Sequence, residues 1–247
     1  MTDRQRMLPP ALRRPSQRQQ PGQPQQAGQR QNPAPLLPAD ARRPAALLTM
    51  GCLVLVVVLG IMSAHQSHGD AVDRAVDSWV TGLRIPLRAM SLVSRIGGGT
   101  VATLLTSALA VACLVVRRVN GAVLAVGGVA LASAMTEFVL KPLVDRTLDG
   151  DLSYPSGHTT GLFALAAAIA VLMVAPRSGR PRPGVRVAAV AAAVIIGSAV
   201  GLAMVGQNYH YFTDTVGGAA VGTGVVIGLA FLLDLPKVRR WLRFPGR

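Results

Sequence analysis

Six apolar stretches constrain this chain, because each is close to the roughly 20 residues needed to cross the hydrocarbon core of a bilayer. They are Ala46–Ala64, Thr100–Val116, Gly121–Leu140, Thr159–Ala175, Val187–Val205 and Thr215–Leu235. Only 15% of the residues are charged and 51% are hydrophobic, a balance that fits a membrane protein. The sequence therefore predicts an all-α fold: a polytopic membrane protein with a six-transmembrane-helix bundle, preceded by a disordered N-terminal tail.

Residues 1–44 form a polar segment rich in Pro, Gln and Arg. It cannot bury enough apolar surface to offset the entropy of ordering, so we expect a disordered cytoplasmic tail. A second interpretation is that its arginines bind anionic lipid headgroups or a partner. Because this tail precedes the first apolar stretch, we expect that stretch to stay in the membrane and not to be a cleaved signal peptide. Residues 45–236 are then the membrane domain, and residues 237–247 are a basic cytoplasmic C-terminus.

The net charge of +14 raises the question of nucleic-acid binding, but the positions of the cations fit membrane topology better. Basic residues occupy every second connection, at Arg42–Arg43, Arg117–Arg118, Arg177–Arg186 and Lys237–Arg247. Because positively charged connections stay in the cytoplasm, we expect these connections and both termini there. The other connections, residues 66–99, 141–157 and 206–214, are expected on the extracytoplasmic side. We expect no nucleic-acid partner.

The first extracytoplasmic connection has a helical pattern of its own. Apolar residues recur at Val72, Val76, Trp79, Val80, Leu83 and Leu87, and polar residues recur at Asp73, Asp77, Thr81, Arg84 and Arg88. This spacing predicts an amphipathic helix that Pro86 kinks or ends, with its polar side facing away from the membrane. Such a helix either shapes the access of a lipid substrate or simply links two spans.

Three polar clusters lie at the membrane ends of these connections, where uncompensated charge is costly and function is to be sought. They are TEFVLKPLVDRT (136–147), SYPSGHTTG (153–161) and GQNYHYFTDTVGG (206–218). Each alone has a structural explanation: Lys141 as an interfacial helix end, and Ser156 and Asp214 as helix caps. Their convergence on one face favours chemistry.

Several of these residues suit the binding of a phosphate group. A phosphate at the start of the fourth span would meet free backbone amides at Gly157 and the Ser156 hydroxyl. Lys141 and Arg146 would neutralise its remaining charge. No residues with metal-ligand spacing accompany them, so we expect neither a metal nor another cofactor.

Two histidines supply the other parts of a phosphoryl-transfer site. His210 would attack phosphorus with a neutral ring nitrogen while Asp214, four residues later, holds the other nitrogen. The pair could meet on one helical turn or across a turn that enters the sixth span. His158 would protonate the leaving alkoxide. Ser156 is a weaker nucleophile candidate, because the sequence places no base beside it.

These residues resemble the type 2 phosphatidic acid phosphatase superfamily of integral membrane phosphatases, over about residues 46–235. The family signature reads Lys-x6-Arg-Pro, then Pro-Ser-Gly-His, then Ser-Arg-x5-His-x3-Asp, on a core of six helices. Here 155–158 match the middle motif and 210–214 match the end of the third. The resemblance implies a metal-independent phosphatase that forms a phosphohistidine, with His210 as nucleophile, Asp214 orienting it and His158 as the acid.

The first motif departs from the family signature. Seven residues after Lys141 the chain has Leu148 and then Asp149, where the family has Arg-Pro. Removing one preorganised donor from a transition-state site commonly costs about a hundred- to a thousandfold in rate. We expect Arg146 to compensate for the missing arginine.

The third motif departs in a similar way, because Ala203 and Met204 stand where the family has Ser-Arg. Gln207 or Asn208 could donate neutral hydrogen bonds near the position of the lost arginine. With both family arginines absent, the site is either compensated or slow.

The sequence thus predicts a membrane phosphatase that hydrolyses a lipid phosphomonoester or diphosphate at the outer leaflet. By fold analogy the first expected substrate is a polyprenyl phosphate or diphosphate, then phosphatidic acid or a related phospholipid, then an envelope glycolipid precursor. The alternative is a catalytically weak member that binds or transports a lipid phosphate. The expected partners are the lipid phosphate substrate and membrane lipids, and the sequence leaves the oligomeric state open.

Overall fold

The computed structural model describes residues 35–176 and 181–241, so most of the predicted N-terminal tail and the last six residues lie outside the described residues. The elements are α1 (Ala39–Ser63), α2 (Ala71–Gly82), α3 (Leu87–Ile96), α4 (Gly99–Val115), α5 (Val119–Ala134), a π-helical segment (Met135–Leu140), α6 (Lys141–Val144), β1 (Thr147–Leu148), β2 (Asp151–Leu152), α7 (Gly157–Val174), α8 (Pro183–Gly206), α9 (Phe212–Leu233) and α10 (Pro236–Trp241). The fold is therefore helical, with one short hairpin.

The described residues contain six helical stretches that are long and apolar enough to cross a membrane. They are Ala39–Ser63, Leu87–Val115, Val119–Val144, Gly157–Val174, Pro183–Gly206 and Phe212–Leu233. Each overlaps one of the predicted spans, so the six-helix membrane fold is confirmed. The second span differs most, because it begins at Leu87 and not at Thr100: α3 joins α4 across a short break at Gly97–Gly98.

Helices α7 and α9 form the centre of the bundle. In the most apolar part of each helix, 61% of the α7 residues and 50% of the α9 residues are buried, compared with 11% of those in α1, which lies at the periphery. A side chain at Gly218 or Gly222 of α9 would overlap backbone atoms of Ser156 and Thr160, respectively. The two backbones therefore meet directly. As a consequence, the N-terminal ends of both helices lie side by side at one end of the bundle.

The predicted amphipathic segment forms two helices, α2 and α3, and Pro86 is the N-cap residue of α3. Val80 and Met90 pack against Ala203 of α8, while Trp79 is 55% exposed. The segment thus packs on α8 through part of its apolar side and leaves the tryptophan outside.

Asp73 of α2 does not face outward as the helical pattern predicts. It is buried, with 2% of its surface exposed, and it forms an ion pair with Arg146. The prediction is wrong at this position because helical periodicity assigns a carboxylate to the solvent-facing side of the helix. It contains no information about a buried partner such as Arg146, which lies 73 residues later in the chain.

The connection between α5 and α7 changes direction twice. Near its end the third span contains the π-helical segment Met135–Leu140, a rare geometry that often marks functional sites. Helix α6 then stops at Asp145, whose left-handed backbone (φ 54°) turns the chain so that Arg146 is buried. The hairpin reverses at Asp149 and Gly150, which both have the positive φ that a two-residue turn requires.

Candidate active site

A cavity of about 810 Å³ lies at the end of the bundle where α7 and α9 begin. It is lined by Ser94, Glu137, Lys141, Gly150, Asp151, Leu152, Gly157, His158, Met204, Tyr209 and His210. Four of the seven predicted site residues, Lys141, Gly157, His158 and His210, are in this lining. Three polar clusters that are far apart in the sequence therefore contribute to one cavity, which we call the active-site cavity.

Lys141 reaches this cavity from the end of the π-helical segment. Its ammonium nitrogen is 2.8 Å from the Glu137 carboxylate, one turn earlier in the chain. The lysine side chain is 17% exposed and the glutamate 45%. Glu137 Oε1 also lies 2.6 Å from the point where Gly157 would carry a Cβ, so the carboxylate sits beside the start of α7. Among the described lining residues, Lys141 is the only lysine or arginine, and its charge is matched by Glu137.

His158 is the second residue of α7, at the helix end whose first backbone N–H groups have no intrahelical acceptor. Its ring packs on Gly97 at the break between α3 and α4. A Cβ on Gly97 would lie 3.2 Å from His158 Cδ2 and 2.7 Å from Val200 Cγ1. Only glycine allows this approach, so the break between the two helices fixes one side of the imidazole.

Ser156 precedes α7 but is not in the cavity lining. It is fully buried, and its hydroxyl has neither a capping hydrogen bond nor any other partner within the described residues. The interpretation of this serine as a side-chain cap is therefore wrong. Its backbone N–H instead donates to the Asp214 carbonyl at 3.0 Å. The serine thus links the N-terminal ends of α7 and α9.

His210 and Asp214 meet across the turn that enters α9. Nδ1 of His210 is 3.7 Å from Oδ2 of Asp214, which is within ion-pair range but too long for a hydrogen bond. Nδ1 is buried without a hydrogen-bond partner, and the same carboxylate oxygen accepts the Tyr211 N–H at 3.0 Å. The imidazole of His210 is therefore oriented with Nδ1 towards Asp214, so Nε2 is the nitrogen that is available to a ligand in the cavity.

Arg146 lies behind Asp214 and is not in the cavity lining. Its guanidinium is buried, with 1% exposed, and donates to Asp214 Oδ1 and Thr213 Oγ1 at 2.7 Å each. It also donates to Asp73 Oδ2 at 2.6 Å and stacks on the Tyr211 ring, 4.0 Å from its centroid. The structure thus separates Arg146 from Lys141 and the histidines, and this placement argues against the predicted phosphate contact. We call Asp73, Arg146, Thr213 and Asp214 the buried charge network.

Asp73 completes the network from α2, where its Oδ1 accepts the Thr213 N–H at 2.8 Å. Burial would raise the pKa of the Asp73 carboxyl, but the Thr213 amide and the Arg146 guanidinium outweigh burial and hold this pKa below its ordinary value. Burial would likewise lower the pKa of Arg146, whereas the Asp214 and Asp73 carboxylates raise it. Asp73 and Arg146 therefore form a charged ion pair in the protein interior.

Residues beside the positions of the missing family arginines contact the two amide side chains. Asp149, which follows Leu148, accepts a hydrogen bond of 3.3 Å from Asn208 Nδ2, and Gln207 Nε2 donates to the carbonyl of Ala203, which precedes Met204, at 2.8 Å. Neither amide side chain lines the active-site cavity, so the expectation that they replace the lost arginine there is not supported by their contacts. Met204 does line it, and it is otherwise buried, with 5% exposed.

Sequence reasoning missed Asp73 in the network and Ser94 and Tyr209 in the cavity. The Asp70-x-x-Asp73 spacing does predict a capping box, which the structure contains. That motif gives a reason for Asp73 to be present but does not indicate Arg146 as its partner. Ser94 lies on α3, before the predicted start of the second span, and no motif marks it.

The arrangement suits nucleophilic displacement at an anionic centre. One imidazole has a buried carboxylate behind its Nδ1, a second imidazole stands at a helix N-terminus, and a lysine lies opposite a carboxylate. Within the described ranges, no three His, Cys, Asp or Glu side chains are grouped as they would be to hold a metal ion.

Comparisons with known proteins agree with this geometry. No match was found among curated proteins. Among solved structures, the fold is similar to that of a transmembrane PAP2-type phosphatidylglycerolphosphate phosphatase from Bacillus subtilis, with a TM-score of 0.59 and 19% identity over 77% of this chain and 95% of that chain. Residues 107–236, just over half of the chain and including all three polar clusters, match the PAP2 superfamily. The chain is therefore a multi-pass membrane protein that belongs to the PAP2 superfamily.

Proposed function

We propose that this protein is a membrane phosphatase that hydrolyses a lipid phosphomonoester or diphosphate through a phosphohistidine intermediate, without a metal ion. The observation that carries the proposal is the convergence of Lys141, His158 and His210 on one cavity. Lys141 lies near the end of the third span, His158 at the start of the fourth, and His210 in the turn before the sixth. They are the residue types that phosphoryl transfer requires.

In this proposal the scissile phosphate binds at the N-terminus of α7. The backbone N–H groups of Gly157 and His158 lie at the positive end of the helix dipole, where an anion is stabilised. Lys141 then exchanges its contact with Glu137 for a contact with a phosphate oxygen. Ser156, whose buried hydroxyl has no partner in the described residues, could donate to the same group after a small movement.

The first chemical step is attack by His210. Its Nε2 forms a bond to phosphorus while the bond between phosphorus and the leaving oxygen breaks, and His158 gives that oxygen a proton. The ring of His210 gains positive charge in this step. Asp214 stabilises that charge, since its Oδ2 lies 3.7 Å from Nδ1 and can close to hydrogen-bond distance.

The second step releases inorganic phosphate. A water molecule attacks phosphorus, His158 takes a proton from the water, and the bond between nitrogen and phosphorus breaks. His210 returns to its neutral state, and both histidines are ready for another cycle. The proton that His158 gives in the first step is thus recovered in the second.

We also propose that the site faces the extracytoplasmic side, with both termini in the cytoplasm. The cavity lies at the end of the bundle where residues 141–157 and 206–214 connect the helices. Arg42–Arg43 lie at the start of α1, and Arg117–Arg118 lie between α4 and α5, at the ends of these helices that are far from the cavity. The positive-inside rule then assigns this end of the bundle, and not the cavity, to the cytoplasm.

The substrate is expected to be a lipid of the polyprenyl phosphate, polyprenyl diphosphate or phosphatidic acid type. The similar Bacillus subtilis structure is a phosphatidylglycerolphosphate phosphatase, which adds a phospholipid with two phosphate groups to the substrates to be tested. In this proposal the membrane domain, residues 45–236, carries out catalysis.

A weak enzyme that serves as a lipid-phosphate binding or transport protein is the second candidate. One observation favours it: the lysine of the active-site cavity is already paired with Glu137, and Arg146 is directed to the buried charge network. Binding of an anion is then weaker than in a site with free cations. The presence of both histidines in the cavity favours the enzyme.

Phosphate release by the purified protein tests the proposal. The substrates are polyprenyl phosphate, polyprenyl diphosphate, phosphatidic acid and phosphatidylglycerolphosphate, in detergent with EDTA. We expect release with at least one of them, and we expect His210→Ala or His158→Ala to reduce it by about a thousandfold or more. Denatured samples taken during turnover should contain acid-labile, base-stable phosphate on the wild type.

His65→Ala is the matched control, because His65 pairs with Asp145 in an exposed position and does not line the cavity. Its activity should equal that of the wild type. Full activity in His210→Ala would exclude His210 as nucleophile. Phosphate release that EDTA abolishes and Mg²⁺ or Zn²⁺ restores would exclude the metal-independent mechanism. Binding without release from any lipid would favour the second candidate.

A further inference from the structure

A second cavity, of about 400 Å³, shares two lining residues with the active-site cavity. Its lining is Ser94, Arg95, Gly98, Gly99, Thr100, Val101 and His158. Ser94 and His158 line both cavities. His158, the proposed acid, therefore stands where the two spaces meet.

The two cavities differ in charge. Glu137 and Asp151 line the active-site cavity together with Lys141, so its lining carries no excess of positive charge. The lining of the second cavity contains Arg95 and no aspartate or glutamate. An anion that extends past His158 therefore meets a lining whose formal charge is positive.

Arg95 is free to bind such an anion. It lies in the last turn of α3, is exposed, and forms no ion pair within the described residues. Two residues later, Gly97 packs directly against the His158 ring, which ties the end of α3 to the acid. Arg95 also lies outside residues 107–236, so the match to the family does not include it.

The second cavity lies on the side of His158 where the leaving group of the substrate is expected. His158 donates its proton to the oxygen that leaves phosphorus, so the atoms beyond that oxygen lie on the His158 side of the reacting phosphate. In a lipid monophosphate these atoms are carbon and hydrogen. In a lipid diphosphate they are a second phosphate, which needs a cation that Lys141 cannot also supply.

We propose that the second cavity binds a second phosphate group of the substrate through Arg95, and that the preferred substrates are lipids with two neighbouring phosphates. This inference rests on the proposed function. With a diphosphate, His210 bonds to the terminal phosphorus, the bridging P–O bond breaks, His158 protonates the bridging oxygen, and the lipid monophosphate leaves. Water then hydrolyses the phosphohistidine to inorganic phosphate. In phosphatidylglycerolphosphate the second group is a phosphodiester, and the oxygen that His158 protonates belongs to the glycerol between the two phosphates.

Two matched substrate pairs test the inference: farnesyl diphosphate with farnesyl monophosphate, and phosphatidylglycerolphosphate with phosphatidic acid of the same acyl chains. We expect Arg95→Gln to lower kcat/KM for the doubly phosphorylated member of at least one pair by roughly ten- to a hundredfold, the range for a hydrogen bond to a charged group. The singly phosphorylated member should change by less than about twofold. Arg95→Lys should retain part of the preference. The pair that responds identifies the second group as a diphosphate or a phosphodiester.

Arg88→Gln is the control, since Arg88 is an exposed arginine on the same helix and lines neither cavity. It should leave both members of each pair unchanged. An equal loss of kcat/KM for both members in Arg95→Gln would overturn the inference. Such a loss is expected if Arg95 binds a membrane lipid that is not the substrate, binds the product phosphate or only supports the fold, because each of these roles affects both substrates alike. No loss for either member would overturn it as well.

A binding measurement separates this inference from the proposed function. Farnesyl methylenediphosphonate and farnesyl phosphonate cannot be hydrolysed at the carbon bridge, and their affinities are obtained from thermal stabilisation of the protein. If the wild type releases no phosphate, the proposed function fails, and tighter binding of the diphosphonate that is lost in Arg95→Gln still supports the second site. Equal binding of the two ligands by both proteins would overturn it.

Discussion

The buried charge network and the active-site cavity are built from the same kinds of residue but differ in access to solvent. In the network, Arg146 lies between Asp73 and Asp214, all three are buried, and the Arg146 NH1 and NH2 groups donate to protein oxygens. In the cavity, Lys141 faces Glu137, whose side chain is 45% exposed. A cation enclosed by carboxylates holds the protein together. A cation with one exposed partner can exchange that partner for a ligand.

Asp214 is the residue that the two regions share. Its Oδ1 accepts from Arg146 in the network, and its Oδ2 faces His210 at the edge of the cavity. Arg146 holds the carboxylate in place and offsets part of its charge, while Asp73 in turn offsets part of the charge of Arg146. The strength with which Asp214 can act on His210 therefore depends on a residue of α2.

Arg146→Met should produce the largest effect, and on stability as well as on rate. It leaves the Asp73 and Asp214 carboxylates buried without a cation, and breaking such a pair commonly costs about 3–5 kcal/mol. We expect a lower unfolding temperature in detergent and little folded protein. Adding Asp73→Asn to this variant should recover part of the loss, because it removes one of the two unpaired charges.

Arg88→Met serves as the control for the loss of an exposed arginine and should unfold like the wild type. The structural role of Arg146 would be contradicted if Arg146→Met were as stable as the wild type and had a raised KM for the lipid. That result would return Arg146 to the phosphate-binding role predicted from the sequence.

Lys141→Gln should have the opposite profile: a large loss of activity with little loss of stability. Without its charge the phosphate loses a donor in the transition state, which commonly costs about a hundred- to a thousandfold in kcat/KM. The fold should tolerate the change because glutamine can still hydrogen-bond Glu137. Steady-state kinetics and thermal unfolding of the same preparation check both parts. A matching loss of stability would mean that the lysine has a structural role like that of Arg146.

Glu137→Gln should give the smallest effect, and in the favourable direction. Removing the carboxylate frees Lys141 from its 2.8 Å ion pair, so we expect KM for a lipid phosphate to fall by roughly twofold to fivefold, as expected for a partly exposed pair. The effect should shrink at high salt, because salt screens partly exposed charges. A rise in KM would indicate that Glu137 positions the lysine and does not compete with the substrate.

The sequence predicted the six spans well because a bilayer imposes a length and a composition that any such helix must meet. It missed α3 as part of the second span, since Arg88, Ser91, Ser94 and Arg95 interrupt the apolar pattern there. These polar residues are tolerated because some of them face cavities, such as Ser94 and Arg95. A hydropathy window cannot distinguish a cavity from lipid.

The sequence also grouped the residues of the site on the basis of order and spacing, and this sufficed for Lys141, His158 and His210. It did not suffice for Arg146, because the left-handed turn at Asp145 directs the next side chain into the protein. The direction of one side chain after a turn depends on a backbone angle and on a distant partner. The spacing of the motif predicts neither the backbone angle nor the partner.

The contact between Asp73 and Arg146 has a consequence for how the protein can be divided. The segment that matches the superfamily begins at residue 107, yet one of the carboxylates that neutralise Arg146 comes from residue 73. A fragment that begins at residue 107 would contain every residue that matches the signature and would lack this counter-ion. The smallest unit that keeps Arg146 neutralised therefore extends back to α2.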